Sequence, residues 1–432
     1  MIQPRPPARA TKALLQPGSI GPVAIRNRLV RAGTSETLAT RSGEVTEPLV
    51  TMYRDLAVGG VGLIFTGHLY IHPRGQSTPR QAGIWSDEHV PGLRRLVEAA
   101  HEGGAKIFAQ LGHAGAQSRV TGVDLVSPSG GHNAMTGRHV AEASEQEIEE
   151  GIRAYVAAAQ RAMEAGFDGI HIQAAIGYLM SEFMSPLTNL RTDRWGGSPE
   201  NRSRFPLEVV KRVRDVVSED RALIMKMGLV DFVPGQPGLE LSESLPRAQL
   251  LIDAGLDGFE VSVNVTSLVS ASVKPYVGID RRRAAEDLLF HRLWKDPGEE
   301  AYFRSWARAM RERVDTKIVL VGGLRRTQTM EDVLESGDAD FIAMARPFIR
   351  EPDLANKVAA GRTGLVDCVS CNICLMHEGH HPLQCWRIPR RRLLRHALYR
   401  FTGGLKRGEL VDLQAGYEDT PTGVAASATS SR

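Results

Sequence analysis

Gly169-Ile170-His171-Ile172-Gln173-Ala174-Ala175-Ile176-Gly177-Tyr178-Leu179 opens as a short apolar run and breaks at a glycine turn. Such a run, apolar on both faces, reads as a buried strand that carries a polar side chain to its C-terminal end. Seven further runs of this kind lie at 28–33, 61–66, 106–111, 222–227, 258–262, 317–321 and 340–344. Helical patterns fill the gaps. Ser144-Glu145-Gln146-Glu147 is a capping box, and Ile148, Ile152, Tyr155, Val156, Ala159 and Met163 repeat behind it at helical spacing. Ser198-Pro199 and Thr46 with Pro48 mark two more helix starts. Eight parallel βα units close most simply as a (β/α)8 TIM barrel, an α/β fold. The alternative, an open doubly wound sheet, usually has a Gly-rich dinucleotide turn after its first strand. Here that strand leads into Gly33-Thr34-Ser35-Glu36.

The predicted organisation is a barrel over 14–362, a C-terminal Cys-containing lobe over 363–389, and a basic amphipathic helix with a tail over 390–432. The last stretch, from Thr420, is rich in Ser, Thr, Ala and Gly and is expected to be disordered. The basic segment interleaves Leu398, Tyr399 and Phe401 with arginines from Arg387 onward. Such a helix either touches membranes or acidic partners, or, more commonly, packs its apolar side on its own domain. The segment 263–296 breaks the βα rhythm with Lys274-Pro275-Tyr276 and Arg281-Arg282-Arg283. It is either a lid or substrate wall on the catalytic face, or a surface excursion.

A 432-residue chain with 42% hydrophobic and 24% charged residues can bury a large core. A net charge of +3 argues for neither a nucleic-acid binder nor a strongly acidic partner, and the expected partner is a small-molecule substrate. The N-terminus lacks a secretory apolar core, and no run approaches the ~20 apolar residues of a membrane span. A cytoplasmic location is expected. Oligomeric state is open. All four cysteines lie between Cys368 and Cys385, which suggests metal binding or a local thiol structure.

Several strand ends carry polar or charged groups placed where a barrel binds its ligands. Gln110, in Gln110-Leu111-Gly112-His113, can donate and accept at once. Lys226 ends an apolar strand and must have a partner there, either a bound anion or a barrel carboxylate. Gly322-Gly323 and Ala345-Arg346 end the seventh and eighth strands, where TIM barrels commonly bind phosphate.

The stretch from Gln173 through Phe183, continuing over Ser185–Asn189 and Arg191–Arg202, resembles the active-site loop of the Old Yellow Enzyme (NADH:flavin oxidoreductase) family. The resemblance covers about residues 14–386 and implies an FMN-binding (β/α)8 barrel reduced by NAD(P)H. It implies hydride delivery from flavin N5 to an activated C=C bond, as in an ene-reductase. Tyr178 would be the proton donor; a phenol stays protonated at neutral pH. Gln110 and Lys226 would meet the flavin pyrimidine edge, and Gly33 with Thr34 or Ser35 the ring near O4. Gly322, Gly323, Ala345 and Arg346 would hold the phosphate.

The family usually places two imidazole or amide donors on the substrate oxygen. Here those positions are Gln173 and Ile176, and isoleucine donates nothing. His68, His113 and Tyr276 are candidate replacements. The altered clamp keeps two other readings open: an oxidative amine dehydrogenase or demethylase, and a flavin-binding protein without turnover.

Cys368-x-x-Cys371-x-x-Cys374 followed by Cys385 resembles the cluster segment of the 2,4-dienoyl-CoA reductase and trimethylamine dehydrogenase branch. That implies a [4Fe–4S] cluster or zinc. The spacing between the second and third cysteine is one residue shorter than in that branch. About 45 residues follow Cys385, too few for a further flavin or nucleotide domain, so a cluster would need an external electron partner. Thiols that simply pack the lobe are the favoured reading.

Overall fold

A computed structural model describes residues 12–133, 137–233, 235–265, 300–377 and 381–402. Eight parallel strands pair in chain order: Leu29–Arg31, Leu63–Phe65, Lys106–Gly112, Gly169–Ala174, Ala222–Gly228, Gly258–Ser262, Lys317–Val321 and Phe341–Met344. The eighth pairs back on the first, Met344 opposite Arg31, and closes the barrel. Each strand falls on a predicted run. The runs were legible because nearly every strand residue is buried on both faces.

Alternation sorts the strand side chains into two cores. Ile170, Ile172, Met225 and Leu320 face the surrounding helices. Val30, Leu63, Phe65, Phe108, Ile224, Val319 and Phe341 fill the lumen. An N-terminal hairpin, Gly18–Ile20 paired with Val23–Ile25, adds Ile20, Val23 and Ile25 to that lumen core. It sits where the strands begin: a Cβ on Gly18 would lie 2.8 Å from the Phe341 ring.

The helix Glu145–Ala165 starts with the predicted capping box. Ser144 Oγ accepts from the Glu147 amide at 3.3 Å, and the Ser144 amide donates to Glu147 Oε2 at 2.9 Å. Ser198 Oγ accepts from the Asn201 amide at 3.2 Å at the start of Pro199–Arg214. Thr46 differs. Its hydroxyl donates to the Leu38 carbonyl rather than capping Glu47–Val58, because Pro48 removes one N–H that a cap would have met. Among the described residues no helix is long and apolar enough to cross a membrane. Most of the 263–296 segment, with Tyr276, lies outside the described residues, as does 403–432.

Candidate active site

The C-terminal strand ends bring Gln110, Gln173, Lys226 and Glu260 to one rim. Gln173 stands opposite Lys226 across one ladder, and Lys226 opposite Glu260 across the next. Lys226 Nζ donates to Glu260 Oε1 at 2.9 Å. Glu260 Oε2 lies 3.3 Å from His171 Nε2, within ion-pair distance but outside hydrogen-bond geometry. Gln110 Nε2 donates to His171 Nδ1 at 3.1 Å, which leaves the imidazole proton on the nitrogen facing Glu260. Burial, and then the charge of Lys226, hold His171 well below the usual imidazole range, so it is neutral. A buried chain of Gln110, His171, Glu260 and Lys226 therefore orients the amide and fixes the ammonium. Glu260 was missed in the sequence. Its signal was a carboxylate inside Phe259-Glu260-Val261, which demands a partner as Lys226 does.

Gly33 must be glycine, because a Cβ there would lie 2.7 Å from Gln110 Oε1 and from the Thr66 carbonyl. The two neighbouring hydroxyls differ. Arg31 donates to Thr34 Oγ1 at 2.7 Å and to Glu36 at 2.9 Å, and Glu36 also accepts from Tyr53 and from the Gly67 amide, both at 2.8 Å. Thr34 is thus tied to a buried ion pair. Ser35 Oγ is buried with no protein partner.

At the far side of the rim, Gly322 (φ 115°) and Gly323 (φ 74°) turn the chain in the left-handed region that glycine tolerates. Arg325 follows them, buried, with Nη1 donating to the Cys368 carbonyl at 3.1 Å and Nε without a protein partner. Burial lowers its pKa, and the charge of Arg346 adds to the fall. Arg346, just after Ala345, donates to Asn372 Oδ1. Two neighbouring guanidiniums beside two backbone-exposing glycines suit an oxyanion.

Ser35 Oγ, Gln173 Oε1 and Arg325 Nε are thus buried polar atoms without protein partners at the ends of strands one and four and just beyond strand seven. Each would cost ~1–3 kcal/mol if left unmet. Ser35 and Arg325, with Gln110, Lys226 and Arg346, have the hydrogen-bonding chemistry that the ring edge and phosphate of FMN would need, and the Gln173 oxygen is left as an acceptor.

Tyr178 stands before the short helix Leu179–Met184. Its hydroxyl lies 3.3 Å from His68 Nε2 and 3.5 Å from Ser77 Oγ, and His68 Nε2 lies 3.2 Å from Ser77 Oγ. Gln81 holds this group together: its Oε1 accepts from the Ser77 amide at 2.7 Å and its Nε2 donates to the His68 carbonyl at 2.6 Å. Burial, then the charges of Arg119 and Lys226, lower the His68 pKa to about 4, so the imidazole is neutral at pH 7. His68 and Gln173 flank Gly112, whose missing Cβ would sit 3.4 Å from each of theirs. Ser77 lies in an irregular loop that carries no sequence signal.

Ile176 occupies the left-handed region at φ 63°, where a β-branched residue costs ~1–3 kcal/mol. Its amide donates to the Val263 carbonyl at 3.1 Å, locking the turn before Tyr178.

His113 sits elsewhere. Its Nδ1 accepts from the Gly115 amide at 3.1 Å, its ring stacks on His72 at 6.0 Å, and it lines a cavity of 30 Å³, room for one water. Burial, then His72 and Arg74, lower its pKa to about 3. Its neutral form therefore contributes stability that is full above the unfolded pKa near 6.5 and is lost as pH falls toward the folded value. Between pH 7.5 and 5 that loss is about 2 kcal/mol. Urea unfolding of His113→Asn should fall by about that much less than the native protein over this range. Equal pH slopes would refute the assignment.

The four thiols share the C-terminal lobe. Burial raises the pKa of Cys368 and Cys371, and burial with the neighbouring Cys368 and Cys371 thiols pushes Cys374 up to about 12. Arg350 donates to Cys385 Sγ at 3.6 Å. Among the described residues no three His, Cys, Asp or Glu groups converge as one metal ion requires.

Residues 13–364 match the sequence profile of the NADH:flavin oxidoreductase / NADH oxidase family. An NADH oxidase of Thermoanaerobacter brockii is 34% identical over 365 residues, which is 83% of this chain and 53% of that protein. An NADPH dehydrogenase of Geobacillus sp. is 36% identical over 340 residues, 78% of this chain and 91% of that one. Among solved structures, a 2-naphthoyl-CoA reductase in complex with 2-naphthoyl-CoA superposes with a TM-score of 0.77 at 27% identity, covering 89% of this chain and 58% of that one. The chain spans about half the length of its longer curated relatives.

Proposed function

Because the chain belongs to the NADH:flavin oxidoreductase / NADH oxidase family, we propose that it is an FMN-dependent oxidoreductase that uses NAD(P)H to reduce an activated C=C bond. The observation that carries this reading is Tyr178, held by neutral His68 and Ser77 beside the Gln173 amide.

FMN, when bound, supplies hydride transfer. The chain supplies the rest. Gln110 and Lys226 would meet the pyrimidine edge, and Arg325, Arg346 and the Gly322-Gly323 backbone would hold the phosphate. Tyr178 gives its phenolic proton to the substrate carbon. In the neutral tautomer that carries its proton on Nε2, His68 can donate to the phenol oxygen and leave the phenol proton for the substrate. Ser77, within reach of both, offers a path for reprotonation.

Gln173 can turn either end of its amide to a substrate oxygen. Ile176 adds an apolar wall instead of a second donor. The site therefore favours substrates whose alkene is already polarised, such as extended conjugated carbonyl compounds. The 2-naphthoyl-CoA held by the similar reductase has that character. A cytoplasmic location accords with this reading.

The test is anaerobic spectroscopy on the purified protein with FMN, with iron assayed on the same sample. NADPH or NADH should bleach the flavin, and 2-cyclohexen-1-one should restore its colour. Failure to bind FMN would sink the reading. Bleaching by an amine substrate alone, with no response to either nicotinamide, would replace it with an oxidative one.

A further inference from the structure

The helix Arg390–Phe401 is mounted inside out. A surface helix ordinarily turns its apolar stripe inward. Here, among the helix's described side chains, the buried one is His396, whose Nδ1 lies 2.8 Å from His377 Nε2. His377 in turn stacks on Trp386 at 3.8 Å and meets His381 at 2.9 Å between Nδ1 atoms. The polar anchor leaves Leu394, Leu398 and Phe401 exposed at 73%, 65% and 85%.

At about 100° per residue these three side chains fall in one arc of about 60°. Arg391 and Arg395 stand on one shoulder of the arc and Arg390 on the other. Residues 379–408 hold eight Lys or Arg and no Asp or Glu, in a chain whose net charge is only +3.

We propose that this helix docks the protein on an anionic lipid surface. An interfacial helix needs an apolar stripe that sinks to the acyl boundary and cations that reach back to the headgroups; arginines on the shoulders do this through their long stems. Twelve residues span about 18 Å, too short to cross a bilayer, so the helix lies in the interface. Charge disfavours a second copy as occupant, because two such faces would bring arginine against arginine. The following segment contains Glu409, Asp412, Glu418 and Asp419 but also Lys406, Arg407 and Arg432, a weaker complement than an anionic membrane.

The experiment is co-sedimentation of the full-length protein with phosphatidylcholine vesicles, with and without phosphatidylglycerol, run beside light scattering on the free protein. Binding is expected on the anionic vesicles only, and it should weaken with salt. The Leu394→Glu/Leu398→Glu variant should lose about tenfold or more in partitioning while its near-UV spectrum stays native. A separate Arg391→Gln/Arg395→Gln variant should also bind less.

Three results would overturn the proposal. Failure of the native protein to bind anionic vesicles, with binding by a chain ending at Thr402, would make the C-terminal segment the occupant. A dimeric native protein and a monomeric leucine variant, with vesicle binding by neither, would make the face a self-contact. Equal vesicle binding by native protein and leucine variant would remove the stripe from the interaction.

Discussion

Replacing Tyr178 by phenylalanine is expected to slow reoxidation of the reduced protein by an enone about 10²–10⁴-fold, the range of a lost general acid. Bleaching by NADPH should be nearly unchanged. The split follows from the position of the hydroxyl. It meets His68 at 3.3 Å and Ser77 at 3.5 Å, the group proposed to pass on the proton, and not the hydrogen bonds that join Gln110 to His171 or Lys226 to Glu260. Stopped-flow measurement of the two half-reactions checks this. A Phe variant that reoxidises at the native rate would place the acid elsewhere. Slowing of both halves would mean that the ring, not the hydroxyl, matters.

The second large effect concerns stability. Lys226→Met should cost the FMN-free protein about 3–5 kcal/mol, because it strands the Glu260 carboxylate in the lumen. Glu260→Leu should cost a similar amount by stranding the ammonium. Their combination should recover most of the loss, since an apolar pair of similar volume needs no countercharge. Denaturant unfolding of the four proteins gives the coupling directly. Single variants that each cost less than about 1 kcal/mol would show the pair to be solvated rather than buried. On the proposed FMN site, the double variant should bind FMN weakly, because it lacks the cation assigned to the pyrimidine edge.

The fold was legible because a closed parallel barrel buries its strands on both faces, and runs such as Ala222–Gly228 carry that signature without any partner in view. Gln110, Tyr178 and Lys226 were legible because each sits at a strand end or in a distinctive turn. Their supports were not. The pairing of Lys226 with Glu260, and of Glu260 with His171, depends on the register of neighbouring strands. Ser77 comes from an irregular loop, and only packing brings it to His68. The choice between Thr34 and Ser35 needed the Arg31–Glu36 pair, which ties up the first hydroxyl and spares the second. For the C-terminal helix, periodicity revealed two faces but not which one the lobe would grip. A single histidine with an imidazole partner decided it.

The hairpin Gly18–Ile25 stoppers the end of the barrel where the strands begin, and the lumen above it is filled with side chains. Among the described residues, entry is left to the opposite rim. On the proposed chemistry a nicotinamide and an unsaturated substrate would share that rim in turn, each departing before the other arrives. Such traffic would obey ping-pong kinetics. Either reactant in excess then blocks the form of the protein awaiting the other, so throughput peaks at balanced supply.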